Sequence, residues 1–260
     1  MKLIVLSDLH LLAQVDRASG PDNHGRLEAA IDRINTAYGD ADLVVFAGDL
    51  VDRGKHLQPY EDFRAALFRL TPRHAVTIGN HDLRDNFLEV FDGAHCYSDG
   101  FVQSVHDAGG YRVIILDSVS DEPAPAHFRG ARASHGQLCA MRLAWLDTQL
   151  EDAEGIPVIV ILHHPPLQLS ITSDQMALRE PEALISRLAA HGGVRHVISG
   201  HIHMTTTSFH RGIPFTTIAG GASTTREDFG RIKNKHRKEG PAQMAVILAD
   251  ETQVTVHFDN

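Results

Sequence analysis

The chain opens Met1-Lys2-Leu3-Ile4-Val5-Leu6-Ser7-Asp8-Leu9-His10. Leu3–Leu6 is an uninterrupted apolar run, and it ends on a carboxylate and an imidazole two residues apart. A short continuous run of this kind predicts a strand buried on both faces. The same shape recurs downstream. Leu43–Phe46 leads into Gly48-Asp49, and Ala75–Ile78 into Gly79-Asn80-His81-Asp82. Val158–Leu162 leads into His163-His164-Pro165-Pro166, and Val194–Ile198 into Ser199-Gly200-His201-Ile202-His203. A sixth run of the same kind is Val113–Leu116.

Helical patterns lie between several of these runs. Leu27, Ala30, Ile31, Ile34 and Tyr38 recur at 3–4 spacing within 26–38. Phe63, Leu67 and Leu70 repeat the pattern, as do Leu143, Leu146 and Leu150. Strand alternating with helix means crossover units and a layered α/β domain. The last third reads as consecutive strands over Ser208–Arg211, Ile213–Ile218, Met244–Leu248 and Gln253–Phe258, with turns at Gly212-Ile213-Pro214 and 249–252. We therefore expect a catalytic core over 1–203. Residues 204–260 should form a small β-rich appendage of cap and closing strands within the same domain. The basic run 226–238 is expected to be a solvated loop or edge.

A strand packed between helices has no use for a charged terminus unless something binds there. In open α/β sheets, sites form outside the carboxyl ends of strands. The candidates are Asp8, His10, Asp49, Asn80, His163, His201 and His203. Asp-x-His and His-x-His spacing places both side chains on one side of an extended chain. A lone Asp after a strand is commonly a cap, and a lone His is commonly structural. Five strand ends of the same kind are not independent turns. Mixed nitrogen and oxygen donors without thiolate suit Mn, Fe, Zn or Co. Seven donors are too many for one tetrahedral ion. Two metals roughly 3.5–4 Å apart with a bridging carboxylate would use them all.

Composition narrows the function classes. The chain has 260 residues, 43% hydrophobic and 22% charged, enough for a full core. Histidine is abundant, at 18 residues, and the net charge is -9 with these neutral. That balance argues against a broad nucleic-acid surface. Two cysteines, Cys96 and Cys139, cannot frame a disulfide scaffold, which fits a reducing compartment. The apolar start is too short for a signal peptide, and the longest apolar run, 156–162, is far short of a membrane span. The expectation is a soluble, cytoplasmic protein without a stable membrane anchor.

Asp8-x-His10, Gly48-Asp49, Gly79-Asn80-His81-Asp82, His163-x-Pro165 and Gly200-His201-x-His203 resemble the five signature blocks of the calcineurin-like metallophosphoesterases. They stand in the family's order over residues 8–203. The pattern is most similar to bacterial class III cyclic-nucleotide phosphodiesterases and the related glycerophosphodiesterases. The resemblance implies a four-layer αββα sandwich and a dinuclear centre. One metal would be held by Asp8, His10, Asp49 and His203, the other by Asp49, Asn80, His163 and His201. Of the adjacent pair 163–164, the motif places the ligand on His163. Gly48-Asp49-Leu50-Val51-Asp52-Arg53-Gly54 departs toward the protein-phosphatase form of its block, where the arginine contacts phosphate. Arg53 is thus a candidate substrate-binding residue, against the alternative of a surface salt bridge with Asp52.

These residues imply hydrolysis of a small phosphodiester, cyclic nucleotide or glycerophosphodiester, by attack of a metal-bridging hydroxide. His81 beside Asn80 is the expected general acid or charge stabiliser, with Asp82 placed to orient it. A phospholipase C-like enzyme, a broad phosphatase or a nuclease would use the same centre. The charge balance disfavours a nuclease, and no amphipathic membrane helix supports the first. A non-catalytic binding module should show a degraded ligand block, and none is degraded. Exposed strand edges over 208–218 suggest a two-fold homodimer.

Overall fold

The computed structural model describes residues 1–91, 100–126, 130–229, 235–238 and 242–260. Cys96 and most of the basic run 226–238 lie outside the residues whose side chains are described. In chain order the strands are β1 Lys2–Leu6, β2 Leu43–Ala47, β3 His74–Thr77, β4 Ser104–Ala108, β5 Tyr111–Leu116, β6 Val158–Leu162 and β7 Val194–Ser199. They continue with β8 Thr206–His210, β9 Ile213–Thr217, β10 Thr224–Glu227, β11 Lys235–Lys238, β12 Met244–Ala249 and β13 Val254–Asp259. The helices are α1 Gln14–Arg17, α2 Asn23–Ala37, α3 Gln58–Leu67, α4 Arg84–Phe91, α5 Ala140–Glu151 and α6 Glu182–His191.

Two sheets result, ordered β13-β12-β1-β2-β3 and β4-β5-β6-β7-β9-β8, beside a β10–β11 ribbon. Period-two alternation sorts each buried strand into two faces. Ile4, Leu6, Val44 and Phe46 meet Leu27, Ile31 and Ile34 of α2, Phe63 of α3 and Phe87 of α4. Their neighbours Leu3, Val5, Leu43 and Val45 face Val113, Ile115, Ile159 and Ile161 of the second sheet. The outer face of that sheet, with Ile114, Leu116, Val160 and Leu162, packs on Leu146 of α5 and Leu184 and Leu188 of α6. Helix, sheet, sheet and helix make four layers, the expected sandwich. The apolar runs are near-continuous because both of their faces are covered.

Residues 204–260 supply strands to both sheets. β8 and β9 extend the second beyond β7, while β12 pairs antiparallel with β1 and carries β13. Several local expectations shift. The turn expected at 212–214 is a two-residue hairpin at Arg211-Gly212, both at positive φ (49° and 82°), as such hairpins require. Arg211 is thus outside β8. Tyr38 is the C-cap of α2 and Leu70 lies beyond α3. On α5 the buried face carries Arg142 in place of Leu143. Arg142 donates from Nη1 to the carbonyls of Asp117 and Val119 and stacks over Phe101. No helix among the described residues is long and apolar enough to cross a membrane.

His196 on β7 gives the fold a pH dependence. It is buried, and its Nε2 lies 2.8 Å from Thr216 Oγ1. Burial pushes its imidazole down to about 4. Above pH 6.5 it is neutral in both folded and unfolded chains, so it costs nothing. As pH falls below 6.5 the unfolded chain takes a proton that the folded chain refuses until about pH 4. Stability should drop through that window, by up to about 3 kcal/mol from this residue. Urea unfolding of the wild type and His196→Gln across the window checks this; parallel slopes for the two proteins would refute it.

Candidate metal centre

The strand ends expected to carry chemistry converge at one edge of the sandwich. The loop after β1 continues the ladder with the loop after β2. Asp8 N–H donates to Gly48 C=O at 2.9 Å, His10 N–H to Asp49 C=O at 3.0 Å and Leu11 N–H to Leu50 C=O at 3.0 Å. Five candidate ligands adopt left-handed backbone: Asp8 (φ 57°), His10 (46°), Asp49 (49°), His201 (73°) and His203 (53°). Such conformations cost roughly 1–3 kcal/mol each and persist only where the surroundings over-determine them. They turn each side chain inward immediately after the strand ends. Two glycines make the room. A Cβ on Gly48 (φ 92°) would lie 2.6 Å from His163 Nδ1. One on Gly79 would collide with Asp49 Oδ1 and lie 2.7 Å from His163 Nε2.

The side chains meet in overlapping groups. Asp8, His10 and His203 bring one donor atom each within 4.8 Å of one another, as do Asp8, Asp49 and His163. His203 Nε2 is 3.4 Å from Asp8 Oδ1 and 3.1 Å from His10 Nε2. Asp49 Oδ2 is 3.7 Å from His10 Nε2 and 3.3 Å from His163 Nε2, so it stands between the two halves. On the far side the His201 ring is 4.9 Å from that of His163. Asn80 is buried on the loop after β3, next to Gly79 in the chain.

Hydrogen bonds fix the rings. His163 Nδ1 donates to Ala47 C=O at 2.9 Å, and His203 Nδ1 to Ser223 C=O at 2.9 Å. A carbonyl can only accept, so Nε2 of each neutral ring carries its lone pair toward the carboxylates. Asp8 accepts the His201 backbone N–H at 2.9 Å. Burial alone would raise the Asp49 carboxyl, but the facing His163, with His81 and His10, holds it well below the usual carboxylate range. Burial opposes the charge on His163, and Asp49 outweighs it, raising the imidazole to about 9.

Both amide atoms of Asn80, both ring nitrogens of His201 and Nε2 of His163 are buried without a hydrogen-bond partner. Each such atom costs about 1–3 kcal/mol if nothing meets it. Metal coordination would meet the Asn80 amide oxygen, one ring nitrogen of His201 and Nε2 of His163, and the donor set of carboxylate, imidazole and amide oxygen suits a transition-metal pair. The residues therefore fit the group.

His81 also reaches this cluster. Its backbone N–H donates to Asp49 Oδ1 at 2.9 Å, and its ring meets that of His10 edge-on at 4.6 Å. Its orientation corrects one expectation. Nδ1 of His81 is held by the Asp52 carbonyl at 2.8 Å. The Asp82 carboxylate instead accepts the backbone N–H groups of Gly79, Leu50 and Val51 at 2.8–3.2 Å. Three amides outcompete one imidazole, so Asp82 clamps the loops after β2 and β3 together and does not orient His81. Burial and the nearby Asp49 charge raise its carboxyl to about 7. Arg53 lies on the same rim, in the loop whose Gly54 N–H donates to His81 C=O. Its Nε is 3.8 Å from both Asp16 and Asp52, and no hydrogen bond fixes that nitrogen.

One residue passed over in the sequence joins the group. His164 is fully buried, and with His163 and His201 it brings a ring nitrogen within 4.8 Å of theirs. The doubled histidine at 163–164 was the available signal.

Comparison with known proteins agrees with this geometry. A family profile for calcineurin-like phosphoesterases matches residues 1–205. A "probable cyclic nucleotide phosphodiesterase" of Rhodopseudomonas palustris is 31% identical, covering 99% of this chain and 91% of its own. A 3′,5′-cyclic adenosine monophosphate phosphodiesterase of Pseudomonas aeruginosa is 30% identical over 77% of this chain and 69% of its own. Among solved structures, a dimetal phosphatase from Danio rerio superimposes with a TM-score of 0.67 at 14% identity, over 98% of each chain. That likeness concerns the fold.

Proposed function

The chain belongs to the calcineurin-like phosphoesterase family, and on that premise we propose that it hydrolyses small phosphodiesters, cyclic nucleotides or glycerophosphodiesters, at a dinuclear metal centre. One observation supports the reading: Asp8, His10 and His203 gather on one side and His163 with His201 on the other, and Asp49 lies within 4 Å of both His10 and His163. We assign Asp8, His10, Asp49 and His203 to one ion, and Asp49, Asn80, His163 and His201 to the other. Mn, Fe, Zn or Co ions there would supply hydroxide near neutral pH and neutralise phosphoryl charge.

The chain's own residues do the rest. Asp8 and Asp49 contribute two negative charges against four positive, leaving a centre that attracts a phosphodiester anion in an acidic protein. His81 stands beside Asn80 at the rim. With Nδ1 held by the Asp52 carbonyl, it presents Nε2, and in its imidazolium form it protonates the departing oxygen. Arg53, loosely paired, is the residue we assign to the phosphate anion.

The test is a substrate panel on metal-reconstituted protein: 3′,5′- and 2′,3′-cyclic nucleotides, glycerophosphodiesters, and bis(p-nitrophenyl) phosphate against its monoester. Diesters should be preferred, chelation should abolish turnover, and Mn, Co, Zn or Fe should restore it. Undiminished turnover by rigorously metal-free protein, or a preference for the monoester, would sink the proposal.

The expected homodimer belongs to the same reading. β8 is the outer strand of its sheet and exposes Phe209 (74%), an apolar edge of the kind a second copy covers. Sedimentation is expected to give a dimer; a monomer across a wide concentration range would remove it.

A further inference from the structure

His164 differs from its ligand neighbours in what holds its ring. His163 Nδ1 is fixed by a carbonyl oxygen, and His203 Nδ1 by the Ser223 carbonyl at 2.9 Å with the Ser223 hydroxyl also at 3.0 Å. His164 Nδ1 instead lies 2.8 Å from the Ser118 hydroxyl, and the same oxygen accepts the His164 backbone N–H at 3.2 Å. Ser118 is fully buried, and no other side-chain bond of its hydroxyl is seen among the described residues. A hydroxyl has one proton to give. If Nδ1 carried hydrogen, that proton would be locked between ring and backbone with nowhere to point. If Ser118 donates to Nδ1, the hydroxyl is satisfied and the ring proton sits on Nε2. That nitrogen is buried without a hydrogen-bond partner. With Nδ1 taken, it is the atom His164 has to offer toward His163 and His201, whose rings lie 4.9 and 4.6 Å away. Gly136 packs against His164: a Cβ there would lie 2.6 Å from its Cβ and Cγ and 2.8 Å from its Nδ1.

We propose that His164 is a neutral N–H donor and not a metal ligand, its tautomer set by Ser118, and that it donates from Nε2 to an anionic phosphoryl oxygen held in the His163–His201–Asn80 half of the centre. The assignment rests on the metal reading of that centre. It separates the adjacent histidines by role: a carbonyl behind His163 leaves a lone pair facing inward, and a hydroxyl behind His164 leaves a proton facing inward. A donor fixed in a dry site needs no reorganisation when charge arrives.

The experiment uses the zinc-loaded protein with histidine nitrogens labelled. Long-range nitrogen–proton correlation is expected to show His164 with a bare Nδ1 and a protonated Nε2, and Ser118→Ala should remove that preference. Adding inorganic phosphate should shift the Nε2–H resonance. His164→Gln should keep two zinc ions per chain yet bind phosphate about 10–100-fold more weakly, the range for a lost hydrogen bond to a charged group. A proton on Nδ1 with Nε2 on zinc, or loss of one zinc in His164→Gln, would overturn the donor role and make His164 a ligand. A wild-type chain that takes up no zinc would be a different failure, since it removes the centre itself. The wild-type tautomer needs no variant, so misfolding of either mutant leaves the proposal decidable.

Discussion

Asp49→Ala is expected to hold neither metal and to lose phosphodiester hydrolysis by about three orders of magnitude or more, the scale set by several kcal/mol of lost metal stabilisation. The reason is position. Among the described residues Asp49 is the one carboxylate within 4 Å of both His10 and His163, which we assign to different ions. Its removal strips each half-site of a ligand and leaves His163 without its counter-charge. It also takes away the acceptor of the His81 backbone N–H. His10→Ala removes one terminal ligand and should weaken mainly one site. Elemental analysis of both variants checks the contrast. Two tightly held ions in Asp49→Ala would refute the shared role.

His81→Ala should separate substrates by leaving group. A nitrophenolate departs without a proton, whereas an alkoxide or ribose oxygen cannot. General acid catalysis is worth about 10²–10⁴-fold. The variant should keep both metals, hydrolyse bis(p-nitrophenyl) phosphate at a modestly reduced rate, and fall by that larger factor on a cyclic nucleotide or glycerophosphodiester. Equal losses on both would make His81 a charge stabiliser, because phosphoryl charge develops either way. No loss on either would make it a structural turn residue. The Asp52 carbonyl takes Nδ1 of the ring, so a proton given to substrate would have to leave from Nε2.

β1, β2, β3, β5, β6 and β7 were legible because each is a near-continuous apolar run, broken only by Thr77, Arg195 and His196, with helices on one face and the opposing sheet on the other. Five of their ends were legible for the opposite reason: a buried carboxylate, imidazole or amide at the end of a covered strand needs a partner. β4, Ser104–Ala108, was not legible, since it carries serine, histidine and aspartate on a half-exposed edge. α4 and α6 are short and were passed over, although Leu184, Ile185 and Leu188 give α6 a buried face. That the runs form two sheets came from the family resemblance, because strand alternation alone does not say what lies opposite each face. Within the site, residue types and spacing named the candidate donors. They did not reveal that Asp82 faces three amides, that Asp52 holds His81 through its backbone, or that Ser118 stands behind His164. Those partners come from loops distant in sequence, and a carbonyl partner leaves no mark on residue identity.

The most direct test of the centre is anomalous scattering from crystals of the protein grown with manganese or zinc. The account predicts two peaks per chain about 3.5–4 Å apart, with Asp49 reaching both. The expected partners are Asp8, His10 and His203 around one peak, and Asn80, His163 and His201 around the other. A single peak, or two peaks that do not share Asp49, would contradict it.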